Sequence, residues 1–292
     1  MESKPINLLE KKIMIQTDNG KITKISIYFL LAIGSVIMII PLLWMIRSSF
    51  MGMQQIFIFP PEWIPTPWVF TNYPEALTTV PFIQYFLNTI TILIPSVLGT
   101  LVTASMAAFA FARLKWVGKN FVFAVLMTTL MLPYAVTLIP TFLIWAKLGL
   151  INTYWPLILP KWFGGGIFYI FLLRQFFLTI PKELDEAATI DGANPLQILW
   201  HIIIPLSRPA LITVGIFSTL AEWNDFLGPL IYLNDSRKFT IALGLAEFTG
   251  LYSSQWHLLM AASTVVITPV VILFFFAQRY FIEGIALTGT KG

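Results

Sequence analysis

The sequence predicts an all-α membrane protein with six transmembrane helices and both termini in the cytoplasm. Three observations carry that prediction. The 292 residues are 57% hydrophobic and only 11% charged, with a mean hydropathy of +0.80, whereas a soluble domain carries about 25% charged residues. Six stretches approach the roughly 20 apolar residues that a spanning helix needs. Lys and Arg, finally, divide unevenly between alternate connecting segments. The net charge of +4 is therefore read as topology, not as affinity for nucleic acid. With no Cys in the chain, disulfides, thiolate catalysis and Cys-ligated zinc are excluded.

A basic arm, residues 1–24, leads into the first span, Ile25–Ile46, which holds no charge at all. It is longer than the roughly 7–15-residue apolar core of a cleavable signal, so it reads as an anchor that is retained. Further spans are predicted at 86–110, 121–140, 156–179, 209–231 and 260–278, within a transmembrane unit of 25–281 and ahead of a tail, 282–292. With the arm inside, 13 of the 18 Lys and Arg fall on the inner side and only Arg47, Lys147, Lys161, Arg237 and Lys238 outside. The positive-inside rule then places both ends in the cytoplasm.

The spans carry local signals of their own. Ser96, Thr100, Ala104, Ala108 and Ala112 recur every four residues along the second, a stripe that favours close helix contact over a ligand groove. Pro41, Pro95, Pro133 and Pro269 predict kinks or unwound turns, either as hinges or as static bends. Gly164-Gly165-Gly166 is too short a signal to assign. Between Ser48 and Tyr85 the chain is rich in Pro and aromatics and has no Lys or Arg, as expected of a cap that contacts an external solute-binding protein.

Acids gather in the inner segment 181–207, where Asp185, Glu186 and Asp191 stand close together. Two short helices are expected there. Glu183–Thr189 is a good helix former, Asp191-Gly192 punctuates it, and Asn194 is placed to cap a second helix with Pro195 at its first position. A solvated acidic loop would also fit these residues.

The segment resembles the cytoplasmic signature of permease subunits of ABC importers: EAA, three residues, Gly, nine residues, then Ile-x-Leu-Pro. Here stand Glu186-Ala187-Ala188, Gly192 and Ile202-Ile203-Ile204-Pro205, with Ile204 replacing Leu. The resemblance implies a type I, maltose-transporter-like permease fold whose loop docks on an ATPase through Glu186, Ala187, Ala188, Asp191, Gly192 and Pro205. It also implies partners: a second homologous permease, two ATP-binding subunits that use ATP and Mg, an extracytoplasmic sugar-binding protein and membrane lipid. The carbohydrate branch of that family is suggested by "EWNDF" at Glu222–Phe226, by "PPEWIP" followed by Asn72-Tyr73, and by the tail "QRYFIEG". That tail makes Gln278, Arg279 and Gly284 candidate ATPase contacts. Nearly the whole chain takes part in the likeness, which implies import of sugars or oligosaccharides across the cell membrane.

The chain itself has no Gly-x-x-x-x-Gly-Lys-Ser/Thr phosphate loop, so no ATP hydrolysis and no bound cofactor are expected of it. Its two histidines, His201 and His257, lie on opposite predicted sides, which argues against a His-based metal site. In the fifth span Glu222 and Asp225 are spaced i, i+3, with Trp223 and Asn224 between them. Intramembrane carboxylates face a bundle interior or a watery path. These four residues are candidates for the solute pathway, and packing near Pro229 is the alternative. An ion-coupled transporter using Glu222 or Asp225, or an ABC permease for a non-sugar solute, are the rival functions.

Overall fold

In a computed structural model the backbone is described for residues 7–250 and 254–289, and side chains for 23–250 and 254–278. The outermost parts of the arm and tail, Lys291 among them, lie outside the described residues. So do the side chains from Arg279 onward.

The described elements are helical throughout: α1 (Asn7–Ser49), α2 (Asn72–Thr79), α3 (Phe82–Ala112), α4 (Lys119–Thr129), α5 (Tyr134–Lys147), α6 (Trp155–Trp162), α7 (Ile167–Thr179), α8 (Glu183–Ile190), α9 (Pro195–Ile198), α10 (Ile204–Leu206), α11 (Arg208–Trp223), α12 (Leu227–Tyr232), α13 (Ile241–Ala246) and α14 (Trp256–Gly289). Four segments are long and apolar enough to cross a membrane: Thr23–Ser49, Phe82–Ala112, Trp155–Thr179 and Trp256–Gln278. Two bent pairs, α4 with α5 and α9–α10 with α11, raise the number to as many as six.

Three predicted spans are not continuous helices. The span at 121–140 breaks between α4 and α5 with a bend of 98°. Pro133 causes the break: its φ of −61° and ψ of 137° are extended, and its ring denies the preceding turn a hydrogen bond. The span at 156–179 is interrupted at Gly164–Gly166, where Gly165 and Gly166 take positive φ of 59° and 90°. The span at 209–231 ends at Trp223, because Asn224 leaves helical geometry at φ −92°, ψ 1°. The arm departs from expectation too, since helix α1 already runs from Asn7.

Pro41, Pro95 and Pro269, in contrast, stay inside α1, α3 and α14. The small-residue stripe of α3 is the spine of the bundle. Ser96, Thr100, Ala104 and Ala108 are fully buried and Ala112 nearly so, against α6, α7 and α11. Approach is so close that a Cβ on Gly165 would sit 2.6 Å from Thr103 Oγ1 and 2.8 Å from the Ala104 backbone nitrogen. Close helix contact is what the stripe serves.

The segment after α1 folds back on it. Asn72 is buried and donates to the carbonyls of Ser49 (2.9 Å) and Met51 (2.8 Å), while Tyr73 shares a hydroxyl bond of 2.8 Å with Ser49. Trp63 meets Trp44 edge to face, and Phe50, Trp68, Phe70 and Tyr73 form one ring cluster. The Asn-Tyr pair quoted from the sequence is therefore a clasp that holds this cap in place.

Candidate docking loop and interhelical cavity

Segment 181–207 forms the two helices its local signals predict. Gly192 turns the chain at φ +84°, where a Cβ would meet nothing but where other residues are strained. Asn194 and Gln197 then form a reciprocal cap: Asn194 Oδ1 accepts from the Gln197 backbone N–H at 2.9 Å, and Gln197 Oε1 accepts from that of Asn194 at 2.8 Å. Pro195 occupies the opening of the helix, where its missing N–H costs nothing. After α9 the helix widens into a π turn, Leu199–Ile203, in which the Ile204 N–H reaches back to the Leu199 carbonyl. Pro205 follows directly and has no N–H to offer the His201 carbonyl, so the widened turn absorbs a defect that proline imposes.

This second helix faces two ways. Ile198, Leu199 and Ile203 are buried in one apolar cluster with Ala108 and Phe109 of α3, Leu173 and Phe177 of α7, and Ala210 and Val214 of α11. Ala188 packs against the same cluster, so its small side chain serves the inside of the loop. Glu186, Ala187, Asp191, Gly192 and Pro205 are exposed, and so are the apolar Ile190, Leu196 and Trp200. An uncovered face of this kind, apolar and acidic together, is suited to a partner surface.

Arg113, one residue past α3, ties the first helix of the loop down. Its Nη2 donates to the carbonyls of Phe177 (2.7 Å) and Ile180 (2.6 Å), and its Nη1 lies 3.4 Å from Asp185 Oδ2. The guanidinium side chain is only 3% exposed. Burial pushes the Asp185 carboxyl above the ordinary carboxylate range; Arg113 and Lys182 pull it back, and Glu186 adds to the rise. In the sequence Arg113 stands out only as an inner positive charge, because its partners lie far along the chain.

A polar cavity of about 430 Å³ lies where α5, α6, α11 and α12 meet. Glu222 and Asp225 both line it, although they no longer share a helix. Glu222 Oε1 pairs with Lys161 Nζ of α6 at 2.5 Å. Asp225 Oδ1 accepts the Gly228 N–H at 3.0 Å and so starts α12. Trp223 and Asn224 do not line the cavity. Trp223 is buried edge to face against Phe86, and the exposed Asn224 amide donates to the Leu220 carbonyl at 2.8 Å in its own helix. A larger cavity, about 700 Å³, is walled mainly by apolar and aromatic groups, Pro95, Trp155 and Trp162 among them.

Residues 99–286 match the family described as the binding-protein-dependent transport system inner membrane component. The chain belongs to that family. It is 35% identical over 268 residues to the probable ABC transporter permease protein YurM of Bacillus subtilis, covering 91% of this chain and 88% of that one. Identity is also 35% over 274 residues to the arabinooligosaccharides transport system permease protein AraQ of Halalkalibacterium halodurans, with coverages of 90% and 96%. A solved structure of a bacterial ABC transporter involved in import of the acidic polysaccharide alginate shares the fold, with a TM-score of 0.77 at 24% identity, over 90% of this chain and 98% of that one.

The protein is thus an ABC transporter permease, a multi-pass membrane subunit and not an enzyme. Its tail helix carries an exposed Gln278, while the side chains at Arg279 and beyond, including the Gly284 position, lie outside the described residues. The structure leaves the loop candidates Glu186, on α8, and Asp191 and Gly192, in the turn that follows it, exposed. Of the four pathway candidates it brings Glu222 and Asp225 to one cavity, together with Lys161, which the sequence marks only as an outer positive charge, and Tyr134 and Tyr232, for which it gives no signal.

Proposed function

We propose that this permease forms half of the translocation pathway of an ATP-driven, binding-protein-dependent importer of sugars or oligosaccharides in the plasma membrane. In this reading it spans six times, each bent pair counting as one span, with both termini cytoplasmic as the distribution of Lys and Arg requires. A second homologous permease completes the pathway, two ATP-binding subunits that use ATP and Mg drive it, and an extracytoplasmic sugar-binding protein delivers the cargo. The most apolar stretch of α1 has none of its residues buried within this chain, which leaves it for lipid and the second permease. Carbohydrate is favoured by the relative named for arabinooligosaccharide transport.

One observation carries the coupling mechanism. The loop's inner face is rooted in the cluster of α3, α7 and α11 while its outer face stands free. When the ATPase moves, Glu186, Asp191 and the apolar groups around them are the handle, and Leu199, Ile203 and Arg113 pass the displacement to the bundle as a rigid-body motion. Loaded binding protein and ATP favour the outward-facing state, and hydrolysis resets it. Gln278, Arg279 and Gly284 are further candidate contacts to the ATPase.

Native mass spectrometry of the gently solubilised complex tests this, with and without Glu186→Ala and Gly192→Pro. A wild-type assembly with a second permease and two ATPases, from which the variants shed an ATPase or lose stimulated hydrolysis, is expected. A chain that runs alone or as a homo-oligomer contradicts it.

A further inference from the structure

The names of its relatives do not decide the charge of the cargo, since one is named for arabinooligosaccharides and another solved transporter imports an acidic polysaccharide. The cavity among α5, α6, α11 and α12 bears on that question. At about 430 Å³ it falls in the range of small-molecule sites, roughly 300–1,000 Å³. Its ionisable groups are Lys161, Glu222 and Asp225 beside two phenols, Tyr134 and Tyr232. The one ammonium is already taken by Glu222 at 2.5 Å. Asp225 meets no cation there: its Oδ1 is bound by the Gly228 N–H, and Oδ2 leans over Gly228, where a Cβ would come within 2.4 Å. Gly228 thus keeps room for a carboxylate that no cation among the described residues pairs with. In formal charge the lining is one negative in excess. The remaining polar groups suit hydroxyls: the tyrosines, Thr141, and the Pro156 carbonyl, to which Pro160 has no N–H to give.

We propose that this cavity is a solute subsite for a polyhydroxylated molecule that is neutral or bears an amine, and that it repels uronate- or phosphate-bearing solutes. The inference rests on the reading of this permease as half of a sugar pathway. An incoming carboxylate would meet Asp225 in a partly desolvated site with no free cation to answer it, whereas hydroxyls can donate to Asp225 and accept from the one phenol proton left over by the Tyr134–Tyr232 hydrogen bond. Lys161 and Glu222 hold α6 against α11 and set the floor of the site, and Asp225 sets its sign.

The absence of Cys makes a direct test possible in the reconstituted importer. Thr141→Cys and, independently, Ala221→Cys place a thiol on the cavity wall. Each is labelled with a cationic trimethylammonium-ethyl and an anionic sulfonatoethyl methanethiosulfonate, in ATP-free and ATP-trapped states, and the incorporation into this chain is read by mass. The cation-to-anion rate ratio should exceed that of an exposed control thiol at Asn120→Cys by about tenfold, and Asp225→Asn should bring it back towards the control. Maltopentaose should slow labelling, whereas tetragalacturonate should not. If both thiols react in a state-dependent way but the anionic reagent is equally fast, or tetragalacturonate protects best, the charge inference is overturned and the pathway reading stands. If neither thiol reacts in either state, the cavity is no part of a water-filled path and both fail.

Discussion

Arg113 Nη1 and Asp185 Oδ2 lie 3.4 Å apart, joining the end of α3 to the first helix of the 181–207 loop across 72 positions of sequence (185 − 113). The same guanidinium holds the carbonyls of Phe177 and Ile180, so a single buried cation binds α3, the end of α7 and α8 into one body.

Removing that cation is predicted to cost more than removing a surface charge. Arg113→Ala leaves two carbonyls and a half-buried carboxylate without their donor, and breaking a buried pair from one side costs about 3–5 kcal/mol. Thermal unfolding of the solubilised chain should show the loss. In the assembled importer, ATP hydrolysis should persist with less transport per ATP.

The apolar root of the loop makes a separate contribution. Ile203 is fully buried and Leu199 nearly so, so Ile203→Ala should destabilise the chain by about 2–5 kcal/mol through lost burial and the cavity left behind. Ile190→Ala, which truncates an exposed side chain, should leave unfolding unchanged and weaken ATPase association instead.

Asp185 sets a pH dependence whose sign follows from its burial. Its folded-state pKa is raised above that of the unfolded chain, so folding takes up a proton between the two values. The contribution of this group to stability is present below the unfolded pKa and is lost as pH rises through the folded one. Asp185→Asn should therefore flatten this part of the pH–stability profile. Transport per ATP should fall on acidification in the wild type, as Arg113 loses its counter-charge, and change less in the variant.

Gly165, in the break between α6 and α7, lies close against α3. Gly165→Ala would push a Cβ against Thr103 Oγ1 and the Ala104 backbone and would hold Ala at φ +59°. Overpacking and left-handed strain together should cost about 2–4 kcal/mol. Gly192→Ala has the φ penalty without the clash and should cost only about 1–2 kcal/mol.

In the cavity, Lys161→Met alone strands the carboxylate of Glu222, whose side chain is 5% exposed. It should destabilise strongly, whereas Lys161→Met with Glu222→Leu should recover most of the loss. A double-mutant cycle read by thermal unfolding checks this.

Legibility in the sequence followed the range of each signal. The two helices of the loop were readable because Asp191-Gly192 and Asn194-Pro195 act within a turn of themselves. The α3 stripe was readable because its period is helical. Pro133 announced a disturbance, but a bend of 98° depends on what α4 and α5 pack against. Asn224 gave no warning of a helix end, since the end is made by Asp225 reaching the Gly228 N–H. Lys161 pairs with Glu222 from another helix, and Arg113 with Asp185 from beyond four, so neither pair could be read from spacing.

In the proposed mechanism the loop and the α3–α7 end of the bundle move as one body. Spin labels at Thr189→Cys and Lys115→Cys, both exposed positions in a chain without native Cys, measure this by dipolar spectroscopy in the reconstituted importer. The same label-to-label distance is expected with and without trapped ATP, and Arg113→Ala should broaden it. A distance that shifts by several ångströms between nucleotide states in the wild type would show that the loop moves separately from the bundle.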